Sequence, residues 1–277
     1  MIVLASPKIP NSCVKVFLQS HMFSENQAFS LSSSNSGGLL NNLNPEQLAA
    51  VTLPNGHALI LAGAGSGKTR VLTTRIAWLL QTGQITPGGV MAVTFTNKAA
   101  KEMQSRINQL LPAGASKKLA SQPTLGTFHS IGVRILRQHI ARLGYGANFV
   151  IMDTDDQLKV IKDILKDLEV PKQFGAPLFR AYISSAKNLL QTPAQMDLGL
   201  EGLIRDLAAQ VYGRYQDFLF KQNGVDFDDL LMLPIILFET FPEVLRQFQA
   251  RWQYLLVDEY QDTNQAQYMF LHLLAPA

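Results

Sequence analysis

The chain has 277 residues, 47% hydrophobic and 16% charged, with 24 Lys+Arg against 21 Asp+Glu for a formal charge of +3. That is length for about two domains and apolar material for sizeable cores, which excludes an intrinsically disordered chain; the charge is too mild to demand or forbid a nucleic-acid partner. The single cysteine, Cys13, excludes an internal disulfide and a multi-cysteine zinc site, and no apolar run reaches the roughly 18 residues of a membrane span.

The first residues carry no basic stretch ahead of their apolar positions, so a cytoplasmic chain without a secretory signal is expected. Residues 1–42 stand apart. Ser32-Ser33-Ser34-Asn35-Ser36-Gly37-Gly38, followed by Asn41 and Asn42, reads as a disordered or mis-started extension. Asn44-Pro45-Glu46-Gln47 predicts a helix start, with Asn44 as N-cap, Pro45 first and Gln47 three residues on. Residues 57–62 predict a buried strand, and 68–80 a helix carrying Val71, Leu72, Ile76, Leu79 and Leu80. A second strand is expected over 90–95, then a helix over 97–111 with Ala99, Ala100, Met103, Ile107 and Leu110 on one side. A third strand over 123–127 precedes a helix with Ile131, Ile135, Leu136 and Ile140.

Residues 150–225 break this alternation. Thr154 and Gln157 predict a capping box ahead of Leu158, Ile161, Ile164, Leu165 and Leu168. A second helical pattern runs through Leu203, Leu207, Val211, Tyr215 and Phe218. A late strand over 254–257 and a helix from Asn264, carrying Phe270, Leu273 and Leu274, close the chain. The expected fold is α/β, with a doubly wound parallel sheet built from 43–149 and 226–277 and a helical subdomain inserted over 150–225.

The strongest chemical signal is Ala62-Gly63-Ala64-Gly65-Ser66-Gly67-Lys68-Thr69, which follows one predicted strand and opens a helix. Glycines let the backbone curl so that N–H groups converge on phosphate oxygens, and the helix N-terminus adds partial positive charge. Lys68 would neutralise the β- and γ-phosphates, and Thr69 would ligate Mg²⁺. Ala62 stands where such loops ordinarily begin with glycine. Asp258 and Glu259, at the end of an apolar strand, supply the acidic partners: Asp258 for Mg²⁺ and Glu259 for the attacking water. Asp226-Phe227-Asp228-Asp229-Leu230 also gathers carboxylates, but its spacing matches no calcium loop, so capping and structural contacts are expected there.

Five segments occur in a telling order. They are Asn44-Pro45-Glu46-Gln47, residues 62–70, Ala92-Val93-Thr94-Phe95-Thr96-Asn97-Lys98-Ala99-Ala100, Gly126-Thr127-Phe128-His129-Ser130 and Val257-Asp258-Glu259-Tyr260-Gln261-Asp262-Thr263-Asn264. From Leu43 onward the chain resembles the N-terminal half of superfamily 1 DNA helicases of the UvrD/Rep/PcrA type. The resemblance implies a RecA-like P-loop NTPase domain (1A) with a helical insertion (1B). It implies ATP and Mg²⁺ as cofactors, single-stranded and duplex DNA as partners, and 3′→5′ translocation in repair or replication.

It also implies roles by position. Gln47 would read the adenine edge, and Arg70 would help hold the nucleotide. Phe95 would stack on a base, with Thr94, Thr96 and Asn97 on the DNA backbone, joined by Thr127 and His129. Tyr260 stands where relatives carry phenylalanine. The Gly-Asp-x-x-Gln segment and the second motor domain with its arginine fingers are not in the sequence. The expectation is therefore a polypeptide that binds ATP, hydrolyses it very slowly and unwinds nothing, with a sheet edge left unpaired. A P-loop ATPase or kinase unrelated to nucleic acid, and a nucleotide-binding module without helicase activity, are the alternatives.

Overall fold

The computed structural model of the chain describes residues 2–5, 14–17, 38–63, 65–112 and 122–275, the first two segments by backbone alone. In chain order the first elements are β1 (Ile2–Ala5), β2 (Val14–Phe17), α1 (Pro45–Val51), β3 (Ala58–Leu61), α2 (Lys68–Gln81), β4 (Val90–Thr94), α3 (Asn97–Leu110) and β5 (Thr124–Thr127). Then follow α4 (Phe128–His139), β6 (Val150–Ile151), α5 (Thr154–Asp167), α6 (Ala176–Asn188), α7 (Gly202–Lys221) and β7 (Gly224–Val225). The last are α8 (Asp229–Thr240), α9 (Pro242–Arg251), β8 (Tyr254–Val257) and α10 (Gln265–Leu274).

Two compact units result, one of residues 1–128, 246–263 and 274–277, the other of 129–245 and 264–273. The first holds a six-stranded sheet in the order β2-β3-β1-β8-β4-β5. β4 lies parallel to both β5 and β8, β2 parallel to β3, and β1 antiparallel to β3 and β8. Every residue of β4, β5 and β8 is buried, as a parallel sheet covered on both faces requires. β3, β8, β4 and β5 run in one direction, so their C-terminal ends share one edge of the sheet, where ligands of open α/β sheets bind.

Several expectations change. Two segments of the stretch read as an unstructured extension are strands of the sheet; the rest of residues 1–37 lies outside the described residues. β1 occupies the place between β3 and β8, so β8 is paired on both sides and has no open edge there. The capping box at Thr154 shifts by one residue. Asp153 is the N-cap, accepting from the Asp156 N–H, and the Gln157 amide donates to the Met152 carbonyl instead. At α3 the cap is Thr96, its hydroxyl accepting from the Ala99 N–H. In both cases the residue just outside the helix has the extended backbone that a cap needs.

The second unit is helical, with a core of residues from α5, α6 and α7. Its most apolar helix, α8, carries Pro234 inside it. Pro234 has no N–H to give to the carbonyl four residues back, that of Leu230. That carbonyl instead lies against Gly132 of α4, where an added Cβ would sit 1.9 Å from the oxygen. Gly132→Ala therefore forces two backbones apart. Chemical denaturation is expected to show a loss of about 1–3 kcal/mol or more, the range of overpacked interiors; an unchanged midpoint would show that the helices can separate freely. Among the described residues, no helix is long and apolar enough to cross a membrane.

Candidate functional site

The site in the first unit begins with α1. Asn44 accepts from the Gln47 N–H while the Gln47 carboxamide oxygen accepts from the Asn44 N–H, closing a reciprocal cap. Arg75 of α2 ties down the end of α1, its guanidinium donating to the carbonyls of Val51, the last helical residue, and of Leu53 just beyond it, both at 2.7 Å. Burial lowers the Arg75 pKa to about 10, with Tyr254 opposing, so it stays charged at neutral pH. This clamp fixes the helix bearing Gln47 against the helix that carries the phosphate loop.

The loop between β3 and α2 turns through two left-handed glycines, Gly65 (φ +75) and Gly67 (φ +85). Gly67 has a second constraint, since a Cβ there would lie 2.8 Å from the Gln47 amide nitrogen. That nitrogen donates to the Ser66 carbonyl at 3.0 Å, and the Ser66 hydroxyl donates to the Gly63 carbonyl at 2.8 Å. Gln47 thus bridges the α1 cap and the loop with both ends of its amide engaged. Arg70 donates to the Asn42 carbonyl at 2.6 Å, and Ala64 lies outside the described residues.

The decisive contact crosses the sequence. The Thr69 hydroxyl donates to the Asp258 carboxylate at 3.2 Å, joining residues 189 apart. Asp258 sits just past the end of β8, its N–H donating to the Val93 carbonyl of β4 at 3.0 Å. Burial, and after it the neighbouring Glu259 charge, hold its carboxyl above the usual range; the Thr69 hydroxyl and the Glu259 N–H oppose this. Glu259 adopts left-handed backbone (φ 53), a strained conformation for a residue with a Cβ. Its carboxylate accepts from the Gln261 amide at 2.7 Å and stands 4.0 Å from the Lys68 ammonium, which also donates to the Gly63 carbonyl at 3.4 Å.

This donor set suits Mg²⁺. A hydroxyl and a carboxylate lie side by side, a second carboxylate is adjacent, and a cation would offset the burial and the Glu259 charge that hold the Asp258 carboxyl up. Mg²⁺ takes one or two protein oxygens and completes its shell with phosphate and water, so a full protein cage is not needed. Indeed, among the described residues no group of three or more His, Cys, Asp or Glu could hold a metal by itself.

Residues 43–277 match the UvrD/REP helicase N-terminal domain family. The chain belongs to that family. An ATP-dependent DNA helicase PcrA from Bacillus subtilis (strain 168) is 48% identical over 241 residues, covering 87% of this chain and 32% of the relative. One from Staphylococcus aureus (strain Mu50 / ATCC 700699) is 48% identical over 238 residues, 86% of this chain and 32% of the relative. A third, from Staphylococcus epidermidis, is 47% identical over 238 residues, with the same two shares. The chain spans about a third of the length of the curated relatives it matches.

In this UvrD/REP-type domain the residues expected to meet DNA fall into two groups. Thr94 and Thr127 are register partners at the C-terminal ends of β4 and β5, and both are buried. Half-buried Phe95 meets Phe128 edge-on at 5.8 Å between ring centroids, and Thr96 and Asn97 are exposed. In the second unit His129 stacks on Phe227, with centroids 3.9 Å apart and planes 22° from parallel. Burial lowers the His129 pKa to about 4, so its ring is neutral at pH 7. Phe227 is 54% exposed. This exposed aromatic lies between aspartates in a segment whose sequence points to capping and structural contacts. Gln261 was not among the expected site residues, although it lies in the segment around Glu259.

Proposed function

We propose that this chain is the ATP-binding N-terminal portion of a cytoplasmic DNA helicase that uses ATP to move 3′→5′ on single-stranded DNA. The observation that carries the reading is the 3.2 Å contact between Thr69 and Asp258, which sets the phosphate loop and the acidic pair around one point. Family membership and the PcrA relatives support DNA as the partner. The domain organisation we favour keeps 43–149 and 226–277 as the nucleotide-binding domain and 150–225 as its helical insertion.

In this reading the loop N–H groups and the N-terminus of α2 receive the triphosphate. Lys68 exchanges its loose contacts with Gly63 and Glu259 for the β- and γ-phosphates. Thr69 and Asp258 hold Mg²⁺, which when bound neutralises charge on the phosphate oxygens. Glu259, released by Lys68 and kept in place by Gln261, orients the attacking water. Gln47 reaches adenine only by giving up its bond to Ser66. Phe95 and the Phe227–His129 stack offer π-faces on which bases stack irrespective of sequence.

Fluorescence anisotropy with a labelled oligo-dT strand tests the DNA part. The chain is expected to bind it, and Phe95→Ala and Phe227→Ala each to weaken binding by about 5- to 100-fold, the worth of one stacked base. Oligonucleotide affinity that ignores both aromatic substitutions would favour a nucleotide-binding module without helicase function.

A further inference from the structure

The helical unit carries a groove of about 400 Å³ between α5 and α7, with Met152, Val160, Ile164 and Phe218 as its apolar lining. Asp156, Asp163 and Asp167 line it as well, with Lys159 as the one cation. These aspartates recur along α5 at spacings that keep them on one helix face, together with Val160 and Ile164. From Asp156 to Asp167 the face runs about 16 Å, three turns at roughly 1.5 Å per residue. Val150, in the short strand β6 that ends just before Met152, is 63% exposed.

We infer that this groove is a docking site for a basic amphipathic helix of another protein. The sign of the charge selects the partner. The chain as a whole carries +3, yet the groove lining sets three carboxylates against one ammonium. Such a lining repels the phosphates of nucleic acid and of anionic lipid and attracts Lys and Arg. The apolar lining asks for side chains at i, i+4 and i+7, as when an amphipathic helix lies in a groove. Lysine stems can cover the apolar lining while their ammonium groups reach the aspartates. The inference does not depend on the nucleotide site.

The probe is a fluorescein-labelled 14-residue helix of lysine and leucine, with leucines at i, i+4, i+7 and i+11, titrated with the full chain. A glutamate-for-lysine peptide of the same pattern is the control. Binding of the lysine peptide is expected to be at least tenfold tighter than that of the control and to weaken with salt. It should fall about tenfold in the triple variant Asp156→Asn, Asp163→Asn, Asp167→Asn and again in Met152→Glu. The three aspartates are exposed and Met152 is half-buried against the helical core, and a circular dichroism spectrum matching the parent's confirms that each variant is folded. ATP binding should be unchanged in both. Equal binding of the two peptides, or lysine-peptide binding indifferent to the triple variant, would overturn the inference. So would self-association of the chain that the triple variant abolishes, because a second copy would then be the occupant.

Discussion

Lys187→Met is expected to cost the helical unit about 3–5 kcal/mol, lowering its thermal midpoint by roughly 10–15 °C. The Lys187 side chain is 0% exposed, with its ammonium 2.7 Å from Asp226 and 2.8 Å from Asp229. The two aspartates cap one another through their backbone N–H groups, and the Tyr215 hydroxyl donates to Asp226 at 3.1 Å. One cation thus joins the end of α6 to the start of α8, with Tyr212 and Tyr215 of α7 beside it. Burial alone would depress the Lys187 pKa, but Asp229 and Asp226 raise it above its ordinary value.

Removing the ammonium leaves two buried carboxylates uncompensated, and the desolvation that it balanced falls on the fold. The pH dependence gives the signature. Burial, and then the Asp226 charge, hold the Asp229 carboxyl up at about 6 against an ordinary 3.8. A raised folded value stabilises at low pH, and that contribution is lost as pH rises through about 6. Without Lys187 the Asp229 value moves further up, so the variant should regain more stability than the parent on acidification from pH 7 to 5. Thermal denaturation by circular dichroism at both pH values reads this. A loss below about 1 kcal/mol with a parent-like pH profile would show that the cluster is energetically neutral.

Lys68→Ala should weaken ATP binding about 100-fold while leaving the fold intact. Its side chain is 15% exposed and its ammonium makes only a 3.4 Å hydrogen bond and a 4.0 Å ion pair, so its loss removes little structure. Against a triphosphate, the same group forms charge-assisted bonds at a partly buried point beside the helix N-terminus. Isothermal titration with ATP, alongside a circular dichroism spectrum identical to the parent's, is the check. Affinity within threefold of the parent would mean that the triphosphate lies elsewhere.

From α1 onward, the strands and helices of the first unit were legible because their signals are local and strong. Continuous apolar runs gave β4 and β8, helical spacing gave α2 and α3, and Asn44 with Gln47 gave the cap of α1. The residues of the candidate nucleotide site stand out in the sequence for the same reason, as glycines, one lysine, one threonine and an acidic pair at strand ends, and the Thr69–Asp258 contact brings the two segments together. What was not legible depended on non-local geometry. Nothing in the short runs of β1 and β2 distinguishes them from an extension, since their pairing with β3 is decided by the sheet. The cap at Asp153 differs from the expected Thr154 by a single residue, a choice set by which backbone stays extended. The exposure of Phe227, and the three-way meeting of Lys187, Asp226 and Asp229, require α6, α7 and α8 to be packed before they exist.

The most direct measurement is ATP affinity by calorimetry with and without Mg²⁺, in the parent chain and in Asp258→Asn. If Thr69 and Asp258 share one cation with the triphosphate, Mg²⁺ tightens binding to the parent by about tenfold or more, and Asp258→Asn loses that gain while still binding ATP alone. An equal Mg²⁺ gain in Asp258→Asn would contradict a single site built from the phosphate loop and the acidic pair.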